Sequence, residues 1–581
     1  MRISHKLILA SMLSLSLCYA NAQKETLVYL EQCETLSFDE NLHPDAQLLK
    51  GNVCFRHEEA FMYCDSAYFY QKENSFDAFG HIRFLQGDTL SGFGDRLYYD
   101  GNTRMARLRQ NVKLINRNTV LTTDSLNYDR ANDIAYYFSG GELQDSLNIL
   151  TSAWGQYTPG DNKAVFREKV LLNHPKFTLR ADTLVYNTET HIAFLQGPTR
   201  INYGDETIIL SRRGWYNTQT EETLLMNRSV IIHADGKSLT GDSLFYDKQK
   251  GFGQVYNRFA MTDSIRKATL YGNYGEVYEN GKKGYATDSA LFVDWSGEDW
   301  LYMHADTLFT EEVRCQEPVV LLPDTLGSDS LLAFAAPDTL WKDTAYQSLR
   351  AFYGVRVYRQ DMQMVCDSLF YHGRDSVMSL CGMPVCWSDE NQVSADTIFV
   401  YMKNGTIDYA HGVGNAFAVK QEDADRFDQM AGKEMYAYIR NGELRRVEVN
   451  GNAETVFFPR EDDGTFIGMN KTQSSFVKIF LQDRKIDHIV FTSTTTGTMY
   501  PLDSITTSGA HLDGFSWEEH LRPKKPGDVF SPVQRGSIVK QTDDSVTDGG
   551  TSSAPAAAAK PENSKQTTKN TRTRSSISRE R

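Results

Sequence analysis

The sequence predicts an exported, all-β protein built from a repeating unit of about 29–30 residues. The first observation is a short motif that returns at nearly constant spacing along most of the chain. The second is the abundance of tyrosine and phenylalanine, 30 and 31 residues, which suit the half-buried positions of pleated strands. The third is the lack of a helical apolar period before about residue 515, so no long amphipathic helix is expected there.

Residues 1–22 are predicted to be an export signal. Arg2 and Lys6 form a basic start, Leu7–Leu17 is apolar, and Ala20–Ala22 offers a small-x-small cleavage site. The apolar stretch is too short to span a bilayer stably. We therefore expect cleavage after Ala22, with lipidation at Cys18 as the alternative.

The recurring motif is Asp-Ser/Thr-Leu-x-aromatic-x, and it phases a β-repeat domain predicted over residues 23–315. Clear copies occupy 124–129, 182–187 and 242–247. With the looser copies included, the aspartate or its equivalent lies at Asp65, Asp95, Asp124, Ala153, Asp182, Arg212 and Asp242. These positions are 30, 29, 29, 29, 30 and 30 residues apart, which predicts stacked structural units.

The period is interrupted once. Residues 316–347 contain Pro318, Pro323 and Pro337 with several acidic residues, and are predicted to be an insertion or linker. Copies at Asp367 and Asp396, again 29 residues apart, place a second β-repeat region at 348–510.

Each unit is predicted to contain three short strands. The Leu and the aromatic residue are two apart, so on a strand they project to one face. A second strand, a Gly or Asn turn and a third strand follow, as at Gly51–Val53. The repeated aspartate is expected at a strand end or corner, where it binds backbone amides; this is favoured over a calcium ligand.

Stacked units should bury the recurring Leu and aromatic side chains in one continuous apolar seam. The residues expected to line it are Leu97, Tyr99, Leu126, Tyr128, Leu184, Tyr186, Leu244 and Tyr246. The pattern fits a packed core and an open groove equally well.

These motifs resemble the OstA-like family. The resemblance rests on Gly51-Asn52-Val53, Gln110-Asn111-Val112, residues 181–187 and residues 241–247, and it spans about 25–310 and, more weakly, 345–460. It implies an antiparallel β-jellyroll, a folded-over sheet whose interior shields acyl chains. It further implies a periplasmic protein, associated with the outer membrane, that binds lipopolysaccharide or lipid A. Implied partners are other lipopolysaccharide-transport proteins, joined by edge-strand pairing, and an outer-membrane barrel protein.

The chain is not expected to be an enzyme. Gly241–Leu244 spells the block that opens one family of esterases, with Ser243 as nucleophile, but the block recurs at 123–126 and 366–369. A nucleophile needs one site with its own base and oxyanion hole, not a copy in each unit. An envelope esterase at Ser243 and a non-catalytic scaffold that binds polysaccharide or another envelope protein remain the alternatives. No metal site or cofactor is expected, and the net charge of −14 argues against nucleic acid.

The C-terminal part is predicted to be a short helix and capping segment, 511–535, followed by a disordered basic tail, 536–581. The helix is expected at Gly514–Leu521, stopped by Pro523. Cys381 and Cys386 flank a turn, so either a local disulfide or two buried thiols fits them.

Overall fold

Alternating apolar and polar residues fold this chain into antiparallel strands. The computed structural model describes residues 26–38, 44–319, 340–403, 405–440, 442–461, 463–482, 485–506 and 509–531, all of which belong to one compact unit that ends at residue 533. The predicted export signal and basic tail lie outside the described residues. The all-β prediction is confirmed, because every strand pairing in the described part of the chain is antiparallel and belongs to one sheet.

The strands of the first part are β1 (Tyr29–Gln32), β2 (Thr35–Phe38), β3 (Gln47–His57), β4 (Ala60–Tyr70), β5 (Ser75–Gln86), β6 (Leu90–Asp100), β7 (Met105–Asn116), β8 (Thr119–Asp129), β9 (Ile134–Tyr137), β10 (Gly141–Asp145), β11 (Asn148–Ser152), β12 (Trp154–Thr158), β13 (Lys163–His174), β14 (Phe177–Asn187), β15 (Ile192–Tyr203), β16 (Ile208–Asn217), β17 (Glu222–Ile232), β18 (Lys237–Asp247), β19 (Phe252–Asp263), β20 (Ala268–Tyr278), β21 (Lys283–Thr287), β22 (Leu291–Asp294), β23 (Leu301–His304) and β24 (Thr307–Val319).

Those of the second part are β25 (Leu340–Arg359), β26 (Met362–His372), β27 (Val377–Cys381), β28 (Val385–Ser388), β29 (Asn391–Ser394), β30 (Thr397–Lys403), β31 (Thr406–Gln421), β32 (Phe427–Arg440), β33 (Glu443–Phe457), β34 (Met469–Gln482), β35 (Lys485–Thr492) and β36 (Thr496–Tyr500). Short 3-10 helices occupy Gln71–Glu73, Glu279–Gly281, Leu502–Ser504, Glu519–Leu521 and Pro526–Phe530.

The prediction of three short strands per unit is wrong: each full unit consists of two long strands, each bent in the middle. In β6 and β7, for example, Phe93 pairs with Lys113 and Arg96 with Arg109, so two residues, Gln110 and Asn111, face Asp95 alone. Both bulge residues have left-handed backbone. The Gly or Asn step that suggested a turn is thus a β-bulge that bends a continuous strand.

The repeated aspartate lies at this bend, opposite the bulge. Its carboxylate is bound there by the side chain of the second bulge residue, in pairs that join His81 to Asp65 (2.7 Å), Asn111 to Asp95 (2.6 Å), Arg258 to Asp242 (2.6 Å) and Asn415 to Asp396 (3.2 Å). The predicted corner position is therefore correct, but the prediction that the aspartate binds backbone amides is wrong at these four corners. At these corners the carboxylate partners are side chains, because the bulge turns its second residue toward the neighbouring strand.

Residues on both sides of the bend contribute to one hydrophobic core, which extends along the sheet from Val28 to Ile479. Leu108 and Leu114, for instance, lie on either side of the bulge in β7 and both belong to it. The sheet is thus folded over on itself, as a jellyroll requires.

The two ends of the predicted linker, residues 316–347, form strands and not the irregular structure that its prolines suggest. Residues 316–319 and 340–347 belong to β24 and β25, which pair without interruption from Thr307–Phe352 to Val319–Leu340. The stretch 320–339 between them lies outside the described residues.

The predicted helix at Gly514–Leu521 is present only as the short 3-10 turn Glu519–Leu521. Residues 509–531, which we call the strap, contain this turn and the 3-10 helix Pro526–Phe530; the rest of the strap is irregular backbone. Leu512 and Leu521 of the strap pack on buried side chains of the sheet. Gln392 Nε2 donates to the Ser516 carbonyl (2.7 Å), and Gln392 Oε1 accepts from the Glu518 N–H (2.7 Å). A helix would need these backbone groups for its own hydrogen bonds. Cys381 and Cys386 are free thiols.

Candidate functional site

The eight side chains expected to line the seam lie inside the folded sheet. Leu97, Tyr99, Leu126, Tyr128, Leu184, Tyr186, Leu244 and Tyr246 are each at most 2% exposed. Each motif tyrosine faces a small residue on the adjacent strand, as Tyr128 faces Ala106 and Ala135, and Tyr186 faces Ala164 and Ala193. An alanine leaves room for a ring, so the buried tyrosines and alanines lie side by side along the seam.

The tyrosine hydroxyls reach the line where the two rows of hairpin turns meet, which we call the lip line. Tyr99 Oη lies 2.6 Å from His57 Nδ1. Tyr128 Oη, which donates to Asp133 of its own row of turns (2.8 Å), lies 3.3 Å from Gln86 Oε1. Asn116 donates to Tyr157 Oη (2.9 Å). Tyr186 donates to Asp145 Oδ2 (2.7 Å). In the four pairs other than Tyr128 with Asp133, the partner precedes the tyrosine by 41 or 42 residues, so it lies on the opposite lip.

Ion pairs join the same two rows of turns. Arg104 binds Glu58 (2.6 Å), Lys176 binds Glu221, and Lys248 binds Asp205. Arg130 Nη1 also donates to Tyr99 Oη (2.6 Å). Hydrogen bonds and ion pairs therefore cross the lip line along one side of the apolar seam, together with ring contacts such as that of Phe177 with Tyr216 (5.1 Å). The polar contacts can exchange their partners for water when the lips part.

The lip partners were not found from the sequence, although a signal for them exists. His57, Gln86, Asn116 and Asp145 are 29, 30 and 29 residues apart, the same period as the motif. They differ in type and lie in turns, so no motif joins them, but a search for polar turn residues at this period would have selected them.

Burial shifts the pKa values of the tyrosines and histidines at the lip line. It is the main cause that raises the pKa of the Tyr99 and Tyr186 phenols, which therefore remain protonated donors. Burial also lowers the pKa of His57, His174 and His233. For His57 and His233 the next cause is a nearby cation, Arg130 or Lys248 respectively. The closed seam thus favours neutral imidazoles.

Acidification should weaken the closed seam. Because the three histidine pKa values are lowered in the folded chain, the unfolded chain binds protons at these histidines more readily as the pH falls through the ordinary value of 6.5. The stabilising contribution is therefore complete above that value and is lost as the pH falls toward the folded pKa values. We expect a lower urea midpoint at pH 5.5 than at pH 7.5, measured by circular dichroism.

The matched control is the triple variant His57→Gln, His174→Gln and His233→Gln. It should lose less stability over the same pH range, because glutamine does not titrate. A midpoint that is equal at both pH values in the native chain would contradict the role of these three imidazoles.

The esterase alternative places its nucleophile at Ser243. Ser243 lies on β18 opposite Met226 and Tyr256, and no hydrogen bond joins its hydroxyl to a histidine among the described residues. Within the same part of the chain, no three His, Cys, Asp or Glu side chains come together as a metal site.

Both ends of the described sheet present strand edges. At one end β1 and β2 pair with β3, and Tyr29 and Phe38 on these strands are exposed. At the other end β35 and β36 pair with β34, and Val490 and Met499 are exposed. Unpaired N–H and C=O groups at such edges can accept a further strand.

Comparison with known proteins identifies part of the chain. Residues 25–182 match the profile of a family described as OstA-like protein. No curated protein sequence matches the chain. The crystal structure of LptH, described as the LptA-homologous periplasmic component of the lipopolysaccharide transport device of Pseudomonas aeruginosa, matches with 16% identity and a TM-score of 0.18. That match covers 22% of this chain and 81% of LptH.

A membrane-spanning helix is not found in the described part of the chain, where no helix has the length and apolar character to cross a bilayer. The motif at fixed period, the bulged corners and the family match all concern the same stretch of the sheet. The match to the OstA-like family model thus covers residues 25–182 of the chain.

Proposed function

We propose that this chain is a periplasmic protein that binds lipopolysaccharide or lipid A and takes part in its transport to the outer membrane. The observation that carries the proposal is the continuous apolar interior, along whose lip line the two rows of turns are joined by hydrogen bonds and ion pairs. Acyl chains need contiguous apolar area and no special group. The OstA-like match supports the same function for the first part of the chain.

The eight seam residues would contact acyl chains after the lips part. In the closed state they fill the space themselves, so lipid entry would replace tyrosine–alanine packing with acyl–alanine packing. The transfer of a lipid then requires rupture of hydrogen bonds and ion pairs, each of modest net free energy. Such a seam would open locally around a moving lipid while the neighbouring units stay closed.

The strand edges would join the chain to its partners. An edge strand of another transport protein could extend the sheet at β1 and β2, or at β35 and β36, by main-chain hydrogen bonds. This would align the apolar interiors of the two proteins. An outer-membrane barrel protein is the partner proposed for one of these ends.

In-cell photocrosslinking tests the proposal. A benzophenone amino acid at Leu184 or Leu244 should crosslink to lipopolysaccharide, because both side chains face the seam. The matched controls are Val185 and Phe245, one residue further along the same strands, whose side chains face outward. Depletion of the protein should also cause lipopolysaccharide to accumulate at the inner membrane. Equal labelling at seam and control positions, or none at either, would contradict the proposal.

A second candidate is a scaffold that binds polysaccharide on the outer face. Aromatic rings there form a row of contacts through Tyr274, Tyr285, Phe309, Phe352 and Phe370, with centroid separations of 6.2, 4.9, 5.9 and 5.5 Å. Flat rings on an uncovered face can stack on sugar rings. A glycan crosslinked to a probe at Phe309, together with no lipid at Leu184, would favour this function over the first.

A further inference from the structure

In the first array, the corner position of the repeat reverses its charge at one unit. The position that holds aspartate in most units of the first array holds arginine at Arg212. This residue lies opposite the bulge at Gly197-Pro198 on β15, where other units place their carboxylate. The acid-to-base change therefore occurs at an exposed corner and not in the core.

Other arginines surround this corner on the outer face. Arg180 on β14 pairs directly with Arg200 on β15, and Arg228 belongs to the bulge of β17. Together with Arg212 they line a shallow depression of about 340 Å³ whose apolar part is formed by Leu210 and Val230. No carboxylate lines the depression.

This arrangement is unfavourable without an anion. Like charges directly opposite each other on neighbouring strands destabilise a sheet, and Arg180 and Arg200 are such a pair. Two corner carboxylates lie next to the cluster: Asp182 is opposite the same Gly197-Pro198 bulge as Arg212, and Asp242 is bound through both oxygens by Arg258 (2.6 and 2.8 Å). Because Asp242 is engaged by Arg258, the four arginines outnumber the carboxylates beside them, and the cluster keeps a net positive charge in a protein whose net charge is −14.

Two of the guanidinium groups are held in place by neighbours that are not acids. Arg200 Nε donates to Asn202 Oδ1 (2.7 Å), and Arg228 Nη1 donates to the Arg258 carbonyl (3.2 Å). Their remaining N–H groups stay available to a ligand. Planar guanidinium forks match the oxygens of a phosphate group and bind it with two parallel hydrogen bonds each.

We propose that this depression is a binding site for a phosphate monoester or diphosphate group, with Arg180, Arg200, Arg212 and Arg228 as its ligands. The site lies on the outer face and does not depend on a lipid in the seam. Leu210 and Val230 beside the arginines suit a ligand with an apolar part next to its phosphate. The phosphate can come from a lipid headgroup or from a soluble compound.

Titration calorimetry on the full chain tests the site with two probes, inorganic pyrophosphate and the short-chain lipid dihexanoylphosphatidate. The test variant is Arg212→Asp, which restores the residue that the repeat carries elsewhere and should therefore fold. We expect it to weaken binding of a phosphate probe by roughly tenfold or more, because a charge-assisted donor is replaced by a repelling carboxylate. The control is Arg96→Asp, the same change at an exposed strand position of another unit.

The outcomes separate cleanly. Tighter binding of dihexanoylphosphatidate than of pyrophosphate, lost in Arg212→Asp and kept in Arg96→Asp, supports the site with a lipid headgroup as its source. Equal or tighter binding of pyrophosphate, with the same dependence on Arg212, supports a soluble phosphate. Absence of binding in the native chain, or binding that Arg212→Asp leaves unchanged, overturns the proposal.

Discussion

Replacement of Asp145 by alanine is expected to lower the free energy of unfolding by about 2–4 kcal/mol. The carboxylate is 3% exposed and accepts hydrogen bonds from the Tyr186 hydroxyl (2.7 Å) and from His191 Nδ1 (3.0 Å). Without it, the buried Tyr186 hydroxyl and the partly buried His191 N–H both lose their acceptor. A buried donor left unsatisfied costs roughly 1–3 kcal/mol. Urea unfolding followed by circular dichroism measures the change.

The control for Asp145 is Asp182→Ala, an exposed corner aspartate of the neighbouring unit. Its loss should change stability by less than about 0.5 kcal/mol, since surface positions contribute little. If the two variants lost the same stability, the lip line would contribute no more than the corners do. The Asp145→Ala protein should also bind an apolar dye more strongly, because the lip is weakened between the seam and water.

The interior of this fold could be predicted because it depends on local alternation. Leu126 and Tyr128 are two residues apart on one strand, so the burial of one implies the burial of the other. The bend at Gln110 and Asn111 was mistaken for a turn, since a bulge and a turn use the same residue types and left-handed geometry.

The lip line could not be predicted from the motif. Asp145 and Tyr186 are 41 residues apart, and their contact exists only after the sheet has folded over. Each of these tyrosines therefore has a second role beyond the predicted one: its ring lies in the seam as expected, and its hydroxyl also makes a hydrogen bond at the lip line. The conformation of the strap could not be predicted either. The residue pattern of Gly514–Leu521 favours a helix, but the hydrogen bonds from the distant Gln392 hold its backbone in another conformation.

Replacement of Gln392 by alanine is expected to release the middle of the strap and to lower the free energy of unfolding by about 3 kcal/mol. Gln392 is 1% exposed; besides its two strap contacts, its Oε1 accepts from Trp387 Nε1 (3.3 Å). Alanine would leave the Ser516 carbonyl, the Glu518 N–H and the indole N–H without this partner. Water must then enter to satisfy them, which also parts Leu521 from Trp387.

The measurement is quenching of tryptophan fluorescence by iodide, since Trp387 is 1% exposed in the intact protein. Gln392→Ala should increase the quenched fraction, and the increase should vanish when Trp387→Phe is added, which separates this indole from the six others. Glu390→Ala, an exposed change two residues away, is the control and should leave quenching unchanged. Unaltered quenching in Gln392→Ala would mean that apolar packing of Leu521 with Val365 and Val385 holds the strap without the glutamine. The buried amide would then contribute direction and register to the strap, and its removal would cost stability without exposing the outer face.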